Sequence, residues 1–315
     1  MRSEISQTAR MVIVIIFIFV GYFALAQSQP ASPPASTQAQ PQAQTQTPTT
    51  GRPPIRTKTQ DEYKAYQLAI SNELIPENME KAADDFAAQF PTSDVRVLLY
   101  RAAMSSYQTA GNPQKMMDMG QKVLAIDKDD PEALIGVAEV LEERTAPTDL
   151  DRAPREAQVI DYTTHALRTI DSDLAVPAGT PPEKLESYKK YLRSTALALL
   201  GSIYYKQENY PEAEVKLRNA IDANPTNVDP VVVLRLALAL DQQKKFPEAL
   251  QQANRAVELT KEGTNLGTVA RNERDHLIEQ TGGTPTPNFA PVNAPAPQTP
   301  ATAAPSTPGN PAPSH

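Results

Sequence analysis

The chain has 315 residues with 30 Lys+Arg and 37 Asp+Glu, and it contains neither cysteine nor tryptophan. The absence of cysteine excludes disulfides, thiolate metal sites, a cysteine nucleophile and a lipidated cysteine anchor. With Arg2, Glu4 and Arg10 of the leader set aside, 28 basic and 36 acidic residues remain from Gly51 onward, and an acidic body lacks the clustered cations a general nucleic-acid surface needs.

Met1 to Ala26 reads as an export leader. Arg2 and Arg10 form a positive start, Met11 to Val20 is an apolar run, and Ala24-Leu25-Ala26 supplies a small-x-small pattern before Gln27. A retained anchor through residues 11–26 is the rival reading, with Arg2 and Arg10 left in the cytoplasm. Cleavage is favoured, because the run is shorter than the roughly 20 residues of a spanning helix. Both readings place the body outside the cytoplasm, in the periplasm or on the outer face of the inner membrane.

Gln27 to Thr50 carries no charge and is built from Gln, Ala, Pro, Ser and Thr. Thr281 to His315 is a second such segment, rich in Pro, Ala and Thr. Without apolar periodicity neither can offset its ordering entropy, so both are expected to be disordered. The linker is drawn over 27–56, the helical body over 57–280 and the tail over 281–315.

Within the body, helix-period patterns come in pairs. The first pair, Gln60 to Phe90, uses Tyr63, Tyr66, Ile70, Met79, Ala83 and Phe86. Asp61-Glu62 suits a helix N-terminus. The second pair, Val97 to Asp130, uses Tyr100, Ala103, Met104 and Tyr107, then Met116, Gly120, Val123 and Leu124 after a turn at Gly111-Asn112-Pro113. The third starts at Pro131 with Leu134, Ala138 and Leu141. Thr145 to Pro154 interrupts it as a projecting loop, and Arg155 to Ile170 supplies its second helix through Val159, Thr163 and Ala166. Asp171 to Pro182 is a second insertion, and Glu183 to Arg193 lengthens the helix that follows. In the fourth pair Leu197, Leu200, Gly201 and Tyr204 precede the turn at Tyr210-Pro211, and Ala213, Leu217 and Ala220 follow it. The fifth pair repeats Tyr210-Pro211-Glu212-Ala213 as Phe246-Pro247-Glu248-Ala249, with Val233, Leu236, Ala237 and Leu240 before and Ala253 and Ala256 after. Asn265 to Gln280 closes the series as a helix with one wet face.

The spacing Leu200-Gly201, Tyr204, Tyr210, Ala213, Leu217, Ala220, Pro225 resembles the tetratricopeptide repeat family. The resemblance is specific in the last two pairs and weaker in the first three. It implies an all-α architecture: an α-solenoid of about five antiparallel helix pairs plus a C-terminal capping helix, flanked by disordered tails. It also implies a protein or peptide partner on the concave face lined by the first helix of each pair. Carried over residue by residue, that face comprises Leu98, Arg101, Ser105 and Gln108; Thr195, Ala198, Ser202 and Tyr205; and Val231, Leu234, Leu238 and Asp241. The Lys/Asn clamp that some members use on peptide C-termini is not matched, since Arg101 and Ser105, Ala198 and Ser202, and Leu234 and Leu238 stand in its place. The apolar C-terminal end of this face either binds a hydrophobic segment or is covered by Asn265 to Gln280.

No catalytic, cofactor or metal constellation is visible. His165 and His276 lie far apart without a thiol or a second histidine at ligand spacing. Asp127, Asp129 and Asp130 lack the glycine and glutamate of a calcium loop. Glu132, Glu139, Glu142 and Glu143 read as a solvated strip. The sequence therefore points to a non-catalytic envelope scaffold or adaptor. A structural spacer with proline-rich tails is the alternative, and a cell-wall enzyme is the least favoured reading.

Overall fold

In the computed structural model, residues 51–283 are described, except 73 and 147. The expectations for the leader, most of the linker and the tail beyond 283 lie outside these residues. Eleven α-helices follow one another among the described residues. They are α1 (Gln60–Ile70), α2 (Pro76–Gln89), α3 (Val95–Thr109), α4 (Pro113–Ile126), α5 (Pro131–Glu143), α6 (Arg152–Thr169), α7 (Pro182–Lys206), α8 (Tyr210–Ala223), α9 (Pro230–Gln242), α10 (Phe246–Leu259) and α11 (Asn265–Gln280).

Helix starts are written in local chemistry. Seven of these helices carry proline at the first or second position, where its missing N–H costs nothing, among them α4, α5, α8 and α9. Asn112, Asp130, Asn209 and Asp229 cap those same four, each accepting a backbone N–H of the first turn. Thr59 and Glu62 form a capping box at α1: Thr59 Oγ1 accepts from Glu62 N, and Glu62 accepts from the backbone of Lys58.

One turn recurs between the first and second helix of three pairs. Asn112 N donates to Tyr107 O, Asn209 N to Tyr204 O and Lys245 N to Leu240 O, at 2.9–3.0 Å. This Schellman closure needs a left-handed residue just before the donor. Gly111, Glu208 and Lys244 fill that position with φ of 68°, 60° and 59°. Only glycine adopts it without steric cost.

Consecutive helices pack in antiparallel pairs, and each pair packs on the next. The first helices of the pairs also touch one another along the series α1, α3, α5, α7, α9 and α11, whereas second helices make no comparable contact with each other. The first helices therefore line the inner side of a curved stack. The core falls into three successive clusters along it, the first around Met79, Tyr107 and Val123, the second around Leu134, Val159 and Ile203, and the third around Leu217, Leu236 and Ala253.

Small residues set the spacing. Ala213, Ala220, Ala249, Ala253 and Ala256 are fully buried. A Cβ on Gly201 would fall 2.6 Å from Leu217 Cγ, and one on Gly120 would fall 2.8 Å from Val137 Cγ2. Neither glycine sits in a left-handed conformation, so close approach is what the missing side chain supplies.

Three expectations are corrected. Residues 51–56, assigned to the linker, are packed: Ile55 is buried, and it forms a parallel bridge with Pro177. Ile55 N donates to Val176 O at 2.9 Å, and Ala178 N donates to Ile55 O at 3.1 Å. These bonds hold down the 171–181 insertion, whose Leu174, Ala175 and Val176 are buried apolar residues packed against the stack. Helix α6 begins at Arg152 rather than Arg155, since Pro154 is tolerated in a first turn. Tyr63 is 39% exposed, because no preceding helix covers α1. The loop before α6 does project, with Leu150 fully solvated, and α7 is lengthened to 25 residues as expected.

Gly201→Val is expected to cost about 2–3 kcal/mol through overpacking against Leu217. Adding Leu217→Ala should cost less than the sum of the two single changes, which a double-mutant cycle in urea measures. Glu208→Gly and Lys244→Gly should each stabilise by about 0.5–1 kcal/mol by relieving the left-handed turn, seen as raised thermal midpoints.

Candidate functional site

The outer, second-helix side is already committed to internal bonding. Lys115 Nζ bonds both Glu80 oxygens at 3.0 Å, Lys122 pairs with Asp84 at 2.7 Å, and Tyr107 Oη donates to Glu80. Three pairs later the pattern returns: Lys245 and Arg218 both hold Glu214, and Arg218 reaches Glu248 at 2.7 Å. These long side chains bridge second helices that do not touch.

Burial opposes ionisation of Glu80, Glu214 and Glu62. Hydrogen bonds from Tyr107 and Lys115, from Lys245, Arg218 and Gln243, and from Ser93 and the Lys58 and Thr59 backbone outweigh it. All three carboxyls are therefore held below their ordinary range.

On the inner side the sequence-predicted residues divide. Arg101, Ser202 and Leu234 are buried and cannot meet a partner directly. Arg101 is closed over by the 171–181 segment: its guanidinium donates to the Ala175 carbonyl, pairs with Glu132 and lies 3.6 Å from the wholly buried Asp130. Ser202 donates to Glu142, which also pairs with Lys206 at 2.9 Å. Leu234 belongs to the core around α8 to α11.

Leu98, Ser105, Gln108, Thr195, Ala198, Tyr205, Val231, Leu238 and Asp241 are half-buried. Tyr205 meets Tyr210 edge-on with ring centroids 5.5 Å apart. Asp241 lies 3.4 Å from His276 of α11, which packs chiefly on α10 and touches α9 more lightly. The capping helix thus leaves Val231 and Leu238 half-exposed rather than sealing the apolar end.

The acidic residues are more committed than a solvated strip would be. Glu142 is buried, Glu132 is paired with Arg101, and Glu139 accepts from Gln108 at 2.8 Å. Asp127 pairs with Arg52, Asp129 lies 2.8 Å from His165, and Asp130 caps α5. Burial pushes the Asp130 carboxyl above its ordinary range, and Arg101 and the Ala133 N–H work against that. Among the described residues no group of three or more carboxylate or imidazole ligands converges on a metal-sized site, and no helix is long and apolar enough to cross a membrane.

One recess opens where α3, α5 and α7 meet. Ser105, Gln108, Ile135, Glu139, Tyr188 and Thr195 are among the residues that line it, with Tyr191 beside Tyr188. Its space of about 100 Å³, half open to solvent, is far below the roughly 300 Å³ at which small-molecule pockets begin. It suits one inserted side chain or ring. The two tyrosines lie nearly parallel, with centroids 6.1 Å apart and planes 15° from one another. Both come from the extra N-terminal turns of α7. Sequence reasoning lengthened that helix without assigning them, although Tyr188 and Tyr191 continue the Thr195 face at helical spacing.

No family model matches the sequence, and neither does any curated protein sequence. Solved structures similar to it include a thermophilic tetratricopeptide repeat protein of Thermus thermophilus, 14% identical, with a TM-score of 0.44 over 67% of this chain and 98% of that one. Another is a tetratricopeptide repeat protein of Parabacteroides merdae, 14% identical, with a TM-score of 0.46 over 70% of this chain and 74% of that one. A third is an assembly chaperone of RpL4, 13% identical, with a TM-score of 0.38 over 70% of this chain and 98% of that one. With all three scores below 0.5, the stacked-pair architecture rests on the packing described above.

The depressed carboxyls set a pH dependence. A group whose folded pKa lies below its unfolded value of about 4.5 stabilises fully above that value and loses this contribution as pH falls through the folded pKa. Glu62, Glu80 and Glu214 should therefore hold the thermal midpoint level from pH 7 to about 5 and lower it further down. Protonation of Asp130 acts in the opposite sense. Glu80→Gln with Glu214→Gln should lower the midpoint at pH 7 and flatten its fall below about pH 4.5, read from unfolding at each pH.

Proposed function

We propose that this protein is a non-catalytic protein-binding scaffold of the cell envelope, and that its binding surface is the inner face of a tetratricopeptide-like stack. The observation that carries this reading is the contrast between the two sides. The outer side spends its charged groups on bridges between its own helices. The inner side leaves a half-exposed, mixed apolar and polar row from Ser105 and Gln108 through Thr195, Ala198 and Tyr205 to Val231 and Leu238. A recess sized for one side chain opens within that row. A rigid curved face of this kind binds by shape and by a few aromatic or aliphatic anchors.

The envelope location is supported by the leader sequence, whose positive start, apolar run and Ala24-Leu25-Ala26 fit export. The 11–26 segment would act as a tether only if it is retained. A tether of that kind would raise the local concentration of the scaffold at the membrane.

The test is capture by the full chain in its native envelope, with crosslinking and mass spectrometry. One defined envelope protein should be recovered. Tyr205→Ala should weaken its binding by about 1–2 kcal/mol and Leu238→Asp by at least as much, with thermal melts confirming that both variants fold. Recovery of background proteins alone, unchanged by either substitution, would overturn the proposal.

A further inference from the structure

The recess between α3, α5 and α7 lies beside the point where the chain enters the folded body. Gly51 lies against the Asp171 carbonyl, so close that an added Cβ would sit 3.1 Å from it. The Asp171 carboxylate is 2.8 Å from Arg193 Nη2 and 3.8 Å from Lys189 Nζ. Both of those cations are on α7, and Lys189 is the sequence neighbour of the Tyr188 that lines the recess. Ile55, four residues further on, is hydrogen-bonded to Val176, and the neighbouring Ala175 carbonyl accepts from Arg101. Arg101 stands one helical turn from Ser105 on the wall of the recess. The linker thus leaves the body at the edge of the binding face rather than at the end of the stack.

The composition of that linker fits what the recess offers. Residues 27–50 carry no charge and hold prolines at Pro30, Pro33, Pro34, Pro41 and Pro48. In a polyproline II helix, with three residues per turn, Pro30 and Pro33 fall on one edge. Such segments dock on aromatic-lined grooves at low entropic cost, placing proline rings against aromatic faces. Tyr188 and Tyr191 present two near-parallel rings beside a space the size of a single ring. An uncharged segment also loses little hydration against walls that carry Glu139 and Glu132, where an acidic segment would be repelled.

Reach is ample. The roughly 21 residues from Pro30 to Gly51 span up to about 65 Å when extended at 3.1 Å per residue. As a coil they average roughly 25 Å, which gives an effective concentration in the millimolar range. The tail after residue 283 is also proline-rich, but it departs from α11, which packs on α9 and α10 rather than around the recess.

We propose that the chain's own segment around Pro30–Pro34 docks in the Tyr188–Tyr191 recess and occupies the inner face until a partner displaces it. This rests on the reading of the inner face as the binding surface, and it adds a built-in competitor to that surface.

The test places a photo-crosslinking phenylalanine analogue at Ser36 of the full chain, and separately at Gln298. Crosslinked peptides are mapped by mass spectrometry, with mixed isotope labels to separate contacts within one chain from contacts between two. The Ser36 probe should crosslink within its own chain to the 185–195 stretch of α7 and to α3 or α5. Tyr191→Ala should cut that yield by about tenfold. Pro33→Ala with Pro34→Ala should do so as well without touching the folded body, so the test survives if Tyr191→Ala fails to fold. These linker changes should also raise partner capture severalfold.

Ser36 crosslinks scattered over the surface would overturn the proposal. So would crosslinks only between copies, or a recess labelled from Gln298 instead. Crosslinking needs no partner, so docking seen without any captured protein would leave this inference standing and remove the scaffold reading. Capture without docking would do the reverse.

Discussion

The stack depends on how closely two helices can lie when one of them has no side chain in the way. Gly201 of α7 sits under Leu217 of α8, with no room for even one carbon between them, and Ala213 and Ala220 extend the seam on either side. That approach fixes the angle within the pair, and the angle decides which faces remain apolar and uncovered. A single pair cannot bury those faces, so the next pair must lie on them. The fully buried alanines of α10 and the Gly120–Val137 approach show the same constraint met elsewhere along the chain.

Once the pairs stack, two sides with different properties follow. First helices touch one another, while second helices are held apart and bridged by lysine and arginine. The bridging carboxylates are half-screened by packing, so their hydrogen bonds hold them ionised. The inner side keeps a row of polar and aromatic residues in partial contact with solvent. The inner wall is also not uniform, because the 171–181 segment, held by the strap of residues 51–56, covers Arg101 and leaves the neighbouring recess open.

The repeat periodicity made the helices and their core residues legible. Leu217, Leu236, Ala253 and Val159 are buried where the apolar spacing puts them. The left-handed turn positions were only partly legible: Gly111 announces itself, whereas Glu208 and Lys244 do not. What escaped the sequence is long-range. Ile55 lies in a short proline-flanked stretch with no period, and only its pairing with Val176, far along the chain, makes it structural. The buried state of Arg101 and Ser202 has the same origin. Helical register places them on the inner side, but register says nothing about a segment folding across that side or about a glutamate reaching over from α5. Tyr188 and Tyr191 were missed because they precede the repeat proper, in turns that belong to no standard unit.

The strap has a mechanical consequence. The chain before Gly51 joins the body through the Ile55–Val176 and Ala178–Ile55 hydrogen bonds and the Arg52–Asp127 pair, which grip the end of α4 and the segment between α6 and α7. A pull on the N-terminus is therefore delivered to the middle of the stack, loading a short parallel bridge in shear before it can peel α1 from α2. The outermost pair, with its exposed Tyr63 and Leu68, is shielded from that load although it comes first in the chain.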